Sequence, residues 1–375
     1  MPASFDQAPL ADRPGTIRGD KADRMTLIGY LTRTQFADGA IDDALPEEAS
    51  RLGKALVLID TEPGAAEAFA RVRDALPHLR LATTTVSADA PLRAEIARVA
   101  DELKRADAAT IIAIGGAGAI GQARLAADAA VRRGRLCAVI AVPVSLFDLG
   151  LGRQVRPRDG EPVSCPRPER VIADPTALAH VPPRRLAAAG MEILVHAIEA
   201  YASPTFNPPA DGLALEAVRR LARWLPVAVA APDNAEARRE ALAGALTAGL
   251  AMEKSIGGVD ALAHPLEDAL VGRAMPGELH APVLAAFVGF NARAVGDRYG
   301  ALSDTMGQGG AVTGLDLQLA AFARALGLPA ALRETATDPN RFAQVAVRAA
   351  DDPAAFANPR LLTPGDCERI LEAAW

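Results

Sequence analysis

Between residues 54 and 144, short apolar runs alternate with longer stretches in which apolar residues recur at helical spacing. The apolar runs predict buried strands, and the periodic stretches predict amphipathic helices. Strands that alternate with helices in this way form a parallel sheet with helices on both faces. The predicted strands are 54–60, 79–87, 109–116 and 136–144, and the predicted helices are 65–76, 92–106 and 124–134.

After Pro182-Pro183 the pattern changes, and the remaining periodic stretches are all helical. Breaks such as "NPPADG" and "GLP" separate them. A chain of 375 residues is long enough for two domains, so we predict an N-terminal arm (1–24), an α/β domain (25–181) and an all-α domain (182–375). The predicted helices are 184–202, 209–224, 235–254, 257–270, 280–297, 314–326, 341–350 and 365–373.

Composition argues against several classes of partner. The net charge of −6 argues against a nucleic-acid surface. The three cysteines cannot form a paired framework and show no metal-ligand spacing, so we expect reduced thiols in a cytoplasm. No apolar run approaches the ~20 residues that cross a bilayer, and the first residues lack the apolar core of a signal peptide. We therefore expect a cytoplasmic protein without a membrane or nucleic-acid partner.

The stretch "AIGGAGAIGQAR" (113–124) follows a predicted strand and opens a helix. A doubly wound sheet binds phosphate at this kind of turn, because glycines let the backbone approach the anion and the first helical N–H groups point at it. The alternative is a tight turn that binds nothing. Asp60, at the end of an earlier strand, is placed either to meet a ribose hydroxyl or to cap a turn.

The segment "GMEILVHAIEAY" (190–201) carries Glu192, His196 and Glu199 at spacings of four and three, so the three side chains share one face of a helix. Asp260 and His264 form a second pair at a spacing of four. Such groups can hold a metal, bind a polar substrate or move a proton. They can also form a polar stripe that faces water. We expect Glu199 to be a helix–helix hydrogen-bond partner.

Three segments resemble the iron-containing (group III) alcohol dehydrogenases, and most closely their maleylacetate reductase branch. The glycine turn is similar to the family's GGGSxxDxAK motif, with Gly121 in place of Asp and Arg124 in place of Lys. "VIADPTALAHVPPRRLAAAGMEILVHAIEAYASPTFNP" (171–208) resembles the Asp-Pro segment and the first metal-binding helix. "GGVDALAHPLEDALVGRAMPGELHAPVLAAFVGFN" (257–291) resembles the second metal segment.

The resemblance implies a Rossmann-like, doubly wound α/β domain and an all-α domain, the fold also found in dehydroquinate synthase. It implies an NAD(P)H cofactor in the cleft, hydride transfer to a small substrate, and a homodimer. After the fourth predicted strand the family's Thr-Thr pair is replaced by Val144-Ser145, so one hydroxyl donor remains. The residues implied in cofactor binding are Asp60, Gly115, Gly116, Ala117, Gly118, Gly121 and Ser145.

The family's metal ligands are Asp, His, His and His. Carried over, they fall on Glu192, His196, Asp260 and a position near Pro276, so three of the four have changed type. This change indicates a lost metal, with His196 or His264 as general acid and the carboxylates of Glu192 and Asp260 setting the tautomer. The carboxylates are alternatively a hydrogen-bonded remnant of a disused site. A retained Fe or Zn ion would be held by Glu192, His196, Asp260 and His280.

The sequence constrains the substrate-binding residues less than the residues that would bind the cofactor or a metal. Arg153 and Arg156 lie in an Arg- and Pro-rich loop and are predicted, with His280, to bind an acidic substrate, because guanidinium matches a carboxylate bidentately. Alternatively, the arginines belong to a solvated loop. The prediction is an NAD(P)H-dependent, maleylacetate reductase-like enzyme that reduces a small unsaturated or oxo acid. The alternatives are a lyase, cyclase or isomerase on the same scaffold, and a non-catalytic homologue.

Overall fold

The computed structural model describes residues 32–79, 81–86, 92–147, 149–155, 162–254, 257–270, 275, 277–307 and 314–375. The predicted arm (1–24) lies outside these residues. The first half of the described chain forms a parallel sheet with helices, and the second half is helical. The change falls between the last strand, which ends at Ala173, and a helix that begins at Pro183.

Six strands form one parallel sheet, and two short strands form an antiparallel hairpin. The strands are β1 (Arg33–Phe36), β2 (Ala55–Ile59), β3 (Leu81–Thr85), β4 (Thr110–Gly115), β5 (Ala138–Pro143), β6 (Gln154–Val155), β7 (Val163–Ser164) and β8 (Arg170–Ala173). The order in the sheet is β1-β8-β5-β4-β2-β3, and β6 pairs with β7. The chain leaves β2 toward one edge and β4 toward the other, so the order reverses between these two strands. Ligands of open α/β sheets bind in the crevice beyond the carboxyl ends of strands at such a reversal.

The central strands are apolar because both faces of the sheet are covered. Side chains alternate between the two faces of a strand. Leu56, Leu58 and Ile111 pack in the main core, whereas Val57 and Ile112 pack in a separate core on the opposite face. The helices of this half are α1 (Ala40–Leu52), α2 (Ala65–Ala75), α3 (Leu92–Arg105) and α4 (Ala117–Arg132).

The second half contains nine helices within the described residues. They are α5 (Pro183–Ala202), α6 (Pro208–Ala230), α7 (Ala235–Ala251), α8 (Gly258–Ala269), α9 (His280–Val295), α10 (Asp297–Thr305), α11 (Leu315–Ala325), α12 (Phe342–Ala350) and α13 (Pro364–Ala374). α5 is buried along most of its length, which places its polar residues inside the protein. Among the described helices, none combines the length and apolar character that spanning a membrane requires.

Most predicted elements are confirmed, and the differences have local causes. The predicted helix 280–297 ends at Val295, because Gly296, with a φ of +59° that favours glycine, interrupts the helical geometry. The helix that follows it, α10, was not predicted. β8 was not predicted, because four residues beginning with Arg170 are too few to show a period. The hairpin β6–β7 was missed for the same reason.

Candidate active site

Four buried side chains converge from three helices. α5 supplies Glu192 and His196, α8 supplies Asp260, and His280 is the first residue of α9. One ligand-type atom from each of the four lies within 4.8 Å of the other three. All four residues are at most 2% exposed. The spacing of four on α5 therefore directs an acid and an imidazole into the interior of the protein, where residues of α8 and α9 meet them.

Asp260 is the centre of the cluster. Its Oδ1 lies 3.1 Å from Nε2 of His196 and 3.0 Å from Nε2 of His264. Nε2 of His280 lies 3.8 Å from the same oxygen and 3.8 Å from Oε1 of Glu192. Three imidazoles therefore direct their Nε2 atoms toward a pair of carboxylates. The side chain of His264 is 21% exposed, so it is the accessible imidazole of the three.

Several atoms of the cluster have no hydrogen-bond partner among the described residues. They are both carboxylate oxygens of Glu192, Nδ1 of His196, and Nδ1 and Nε2 of His280. Burying such groups without a partner is costly, so native proteins pair them with another group, with water or with an ion. Two carboxylate oxygens and two imidazole nitrogens are a donor set that suits divalent iron or zinc. The residues present therefore fit a divalent cation, which favours the alternative ligand set over a lost metal.

The charges in the cluster balance one another. Burial raises the pKa of Glu192 to about 8 and lowers the pKa of His196. Burial alone would raise the pKa of Asp260, but the neighbouring imidazoles, His264 first among them, hold it well below its usual range. Burial opposes protonation of His264, yet the Asp260 carboxylate raises the pKa of His264 to about 10. The buried carboxylates thus depend on positive charge, which protonated imidazoles or a cation can supply.

Two further glutamates surround the cluster. Glu267 was not predicted, and its Oε2 lies 3.4 Å from Nδ1 of His264 while its Oε1 lies 3.5 Å from Nδ1 of His280. Glu267 follows His264 by three residues on α8. Because residues three apart share one face of a helix, the sequence could have identified it. Glu199 accepts hydrogen bonds from the backbone N–H groups of Gly257 (3.1 Å) and Val259 (2.7 Å). It is the helix–helix partner that the sequence predicted, and it caps the start of α8.

The glycine turn lies at the strand reversal, directly after β4. Gly115 has a φ of +151°, and a Cβ there would lie 2.1 Å from Oδ2 of Asp60, so this position requires glycine. The Asp60 carboxylate accepts hydrogen bonds from the N–H groups of Glu62 (2.9 Å) and Gly116 (2.8 Å). Asp60 therefore acts as a cap that shapes the turn. Farther along α4, a Cβ on Gly121 would lie 2.9 Å from Val155 in the hairpin β6–β7.

The start of α4 leaves donors for an anion. Among the described residues, the amides of Ala117 and Gly118 have no hydrogen-bond partner, as is usual in the first turn of a helix. Such N–H groups bind phosphate. The loop after β5 borders the same edge, and its Val144 donates a hydrogen bond to the carbonyl of Gly115 (3.0 Å). The turn therefore fits the pyrophosphate of a dinucleotide.

The loop after β5 also reaches the cluster. Ser145 is buried, and its hydroxyl accepts a hydrogen bond from the backbone N–H of Phe147 (3.2 Å). The ring of Phe147 lies 6.0 Å from the ring of His196, measured between centroids. The cluster on the helices and the glycine turn of the sheet thus border the same loop.

The predicted role of Arg153 needs correction. Its Nε lies 3.2 Å from Oε1 of Glu253, a carboxylate whose side chain is 1% exposed. Arg167 pairs with the same carboxylate. Arg153 is therefore engaged by a carboxylate that it shares with Arg167, and it is not the unpaired guanidinium that the predicted substrate role requires. Arg156 lies outside the described residues, and His280 lies in the buried cluster.

Arg124, at the Lys position of the family's glycine motif, is 1% exposed and donates hydrogen bonds to three backbone carbonyls. They belong to Gly152, Cys165 and Pro166, which flank the hairpin β6–β7. Arg124 therefore fastens this hairpin to α4. Its position and bonds support a structural role between α4 and the hairpin.

A parallel sheet with a phosphate-type turn at its strand reversal, facing helices that carry buried acids and imidazoles, defines a two-domain protein of the dehydrogenase type. The chain belongs to the iron-containing alcohol dehydrogenase family. The family described as "Fe-containing alcohol dehydrogenase family, C-terminal" matches residues 186–375. This match covers the helices that supply all four residues of the cluster.

Two curated relatives and one solved structure extend the similarity over nearly the whole chain. 4-Hydroxybutyrate dehydrogenase of Cupriavidus necator is 28% identical, over 93% of this chain and 99% of its own. Maleylacetate reductase 2 of Cupriavidus pinatubonensis is 30% identical, over 92% of this chain and 95% of its own. Sulfoacetaldehyde reductase from Bifidobacterium kashiwanohense, solved in complex with NAD+, superimposes with a TM-score of 0.81 at 20% identity, over 93% of this chain and 98% of its own.

Proposed function

We propose that this protein is an NAD(P)-dependent oxidoreductase that interconverts a small oxo or unsaturated acid and its reduced form. The observation that carries the proposal is the position of the buried cluster, which meets the nucleotide edge of the sheet across Phe147. Two relatives support the substrate class, because their names specify small carboxylic acids, 4-hydroxybutyrate and maleylacetate. A shared acid group is the simplest feature common to both.

We further propose that Glu192, His196, Asp260 and His280 hold a divalent metal ion. The unpartnered oxygens of Glu192 and the unpartnered Nε2 of His280, which faces them, support this assignment. A metal ion at this position supplies Lewis acidity toward a substrate oxygen, and a bound nicotinamide supplies or accepts the hydride. The backbone N–H groups of Ala117 and Gly118 would bind the pyrophosphate at the start of α4.

The protein's own contribution to proton transfer is assigned to His264. It is the partly exposed imidazole of the cluster, so it can contact both the substrate and the buried acids. Asp260 accepts from its Nε2 at 3.0 Å and Glu267 faces its Nδ1, which fixes the ring between two carboxylates. His196 is buried against the same Asp260 and is placed to ligate rather than to exchange protons with substrate.

The test is turnover by metal-loaded protein, followed at the nicotinamide absorbance. The protein is loaded anaerobically with Fe2+ or with Zn2+, then assayed with maleylacetate plus NADH or NADPH, and with 4-hydroxybutyrate plus NAD+ or NADP+. We expect nicotinamide-dependent turnover of a small acid. The Glu192→Gln variant should lose bound metal and turnover. The Glu216→Gln variant, altered on the surface of α6, should retain both.

Other outcomes distinguish the alternatives. Consumption of an acid without a change in nicotinamide absorbance would point to a lyase, cyclase or isomerase and would overturn the proposal. Absence of any nicotinamide binding, measured by fluorescence titration with NADH and NADPH, would indicate a non-catalytic homologue. Turnover that is independent of added metal and unaffected by Glu192→Gln would retain the oxidoreductase and remove the metal assignment.

A further inference from the structure

Glu267 contacts three parts of the candidate site at once. It lies on α8 one turn after His264, and its two oxygens face Nδ1 of His264 and Nδ1 of His280. Its Oε1 also accepts a hydrogen bond from the backbone N–H of Gly277 at 3.0 Å. Gly277 belongs to the segment that leads into α9. One carboxylate thus connects α8, this segment and the first residue of α9.

The nitrogens of His280 are divided between two environments. Nε2 faces the carboxylates of Glu192 and Asp260, whereas Nδ1 lies 3.5 Å from Oε1 of Glu267, which is an ion-pair distance rather than a hydrogen bond within the described residues. Metal-ligating histidines use this arrangement, because a carboxylate behind the ring fixes the tautomer and orientation and makes the ligating nitrogen more basic. His280 is fully buried, so in the described part of the chain Glu267 is the acid placed to hold its far side.

His280 enters the cluster from a different position than the family's fourth ligand. The family pattern places the fourth ligand near Pro276, and a proline side chain has no donor atom. In this chain the imidazole comes instead from the start of α9. Gly277 has a φ of +92°, and a Cβ there would lie 2.2 Å from the carbonyl oxygen of Ala188 on α5. The segment before α9 therefore packs closely against α5, and the hydrogen bond from Gly277 to Glu267 connects it to α8.

We propose that Glu267 is a positioning residue that holds His280, through its Nδ1, as the fourth metal ligand with Nε2 directed into the cluster. This inference rests on the metal site of the proposed function. It assigns to this chain a relocated ligand together with the carboxylate that the relocation requires. Glu267 itself is not a ligand in this arrangement, because its oxygens face the outer nitrogens of the two imidazoles.

The test measures Zn2+ affinity by competition with a chromophoric chelator in the full chain. Loss of a carboxylate that contacts the far nitrogen of a ligating imidazole typically weakens metal affinity about 10–100-fold, and we expect this for Glu267→Ala. Glu267→Gln keeps an oxygen that can accept from Nδ1 and should weaken binding less. The matched control is Asp268→Asn, the adjacent carboxylate on α8, which pairs with Arg348 away from the cluster. It should bind Zn2+ as the wild type does.

A second readout reports the tautomer directly. The chain has five histidines, so nitrogen NMR of protein labelled at histidine can be assigned by single substitutions. In the Zn2+-bound wild type we expect His280 to be protonated at Nδ1 and ligated at Nε2. In Glu267→Ala the His280 signals should no longer show a single tautomer. Thermal unfolding of the metal-free Glu267→Ala and Glu267→Gln variants shows whether each retains the fold.

Each outcome decides between the two proposals. Unchanged Zn2+ affinity in a folded Glu267→Ala variant, or ligation of His280 through Nδ1, overturns the role of Glu267. Absence of Zn2+ binding by the wild type removes the metal site and this inference together. Zn2+ binding that depends on Glu267, in a protein without nicotinamide-dependent turnover, overturns the proposed function and leaves the positioning role in place.

Discussion

At the level of single residues, oxygen replaces nitrogen at one of the family's ligand positions. Asp260 stands where the family has His, and Glu192 extends an acid by one methylene. Two carboxylates and two neutral imidazoles carry a combined charge of −2, which matches a divalent cation. The unpartnered atoms of Glu192 and His280 are consistent with that balance. The donor chemistry has therefore shifted while the electrostatic requirement for a cation remains.

His264 is the residue whose replacement separates proton transfer from metal binding. His264→Ala should lower kcat by about 10²-fold or more, because a positioned general acid contributes roughly that factor. Metal content should be unchanged, since His264 is not among the four converging ligands. The matched control is His180→Ala, which removes a half-exposed imidazole paired with Glu67 on the surface. Equal kcat values for both variants would remove the assignment.

Asp174 is the buried acid that anchors the sheet half. It is fully buried and accepts hydrogen bonds from the N–H groups of Gly39, Ile41 and Thr176, and from Arg71 at 2.6 Å. Burial alone would raise its pKa, but these donors prevail and lower the pKa of Asp174. A lowered folded-state pKa means that the stabilisation is present above the unfolded pKa of about 4 and is lost as the pH falls toward the folded value.

Asp174→Asn should therefore reduce the free energy of unfolding at neutral pH by about 3 kcal/mol, as the loss of one partner of a buried pair does. The difference from the wild type should narrow as the pH falls below about 4, because the carboxyl of the unfolded wild type then binds a proton and the ionic stabilisation of the folded state is lost. Urea unfolding at several pH values measures this. Asp338→Asn, at an exposed cap, should cost no more than about 1 kcal/mol. A difference that stayed constant across the acidic range would contradict the proposed ionisation.

At the level of elements, α5 organises the site because other helices attach to it. It supplies Glu192 and His196, and its Glu199 caps the start of α8, so α8 is fixed in position relative to α5. A Cβ on Gly257 would lie 2.6 Å from Oε1 of Glu199, which explains the glycine at the cap. Burial raises the pKa of Glu199 to about 7. The relative position of α5 and α8 thus depends on a side chain that is not among the four converging residues.

Gly190 allows α5 to approach α6 closely. A Cβ at Gly190 would lie 2.4 Å from Cδ1 of the buried Leu225, so Gly190→Ala should destabilise the protein by about 1–3 kcal/mol through overpacking. Gly212→Ala is the control within α6, because nothing lies within 4 Å of the added Cβ. It should stabilise by up to about 1 kcal/mol, since alanine favours helix over glycine. Thermal or urea unfolding compares the two variants, and equal stabilities would contradict this packing.

At the level of the whole molecule, ion pairs connect the sheet half to the helical half. Arg185 at the start of α5 donates to Glu62 beside the glycine turn (2.7 Å). Arg239 on α7 pairs with Asp38, which follows β1. Glu253, after α7, receives Arg153 and Arg167 from either side of the hairpin β6–β7. These contacts flank the nucleotide edge and hold the helices in position over it.

Glu253 offers a test of this connection. Glu253→Gln removes a carboxylate whose side chain is 1% exposed and leaves two guanidinium groups without their acid. Backbone amides of the hairpin, such as that of Cys165, should exchange with deuterium faster, because local opening becomes less costly. Glu240→Gln, in a more exposed pair with Arg220, should change stability by less than about 0.5 kcal/mol and leave the hairpin unaffected. Unchanged exchange in Glu253→Gln would show that Glu253 does not hold the hairpin in place.

The sequence by itself determined most of the longer elements and their order. Strands such as Ala55–Ile59 and Thr110–Gly115, and helices such as Pro183–Ala202, follow from periodicity, because alternation of polar and apolar residues reports which face is buried. The shared face of Glu192 and His196 follows from helical geometry alone. The glycine turn was likewise predictable, because it lies between an apolar strand and a helix.

Only the tertiary structure decided what those faces meet. His196 and Asp260 are separated by 64 residues in the chain, yet Nε2 of His196 lies 3.1 Å from Oδ1 of Asp260. The sequence left open whether His280 joins the cluster or binds substrate, and the packing of distant helices decided it. The position of Glu267 behind His280 and the pairing of Arg153 with Glu253 likewise depend on how distant helices and loops pack. Periodicity fixes the direction of a side chain relative to its own helix, whereas its partners are set by contacts between elements that no local pattern encodes.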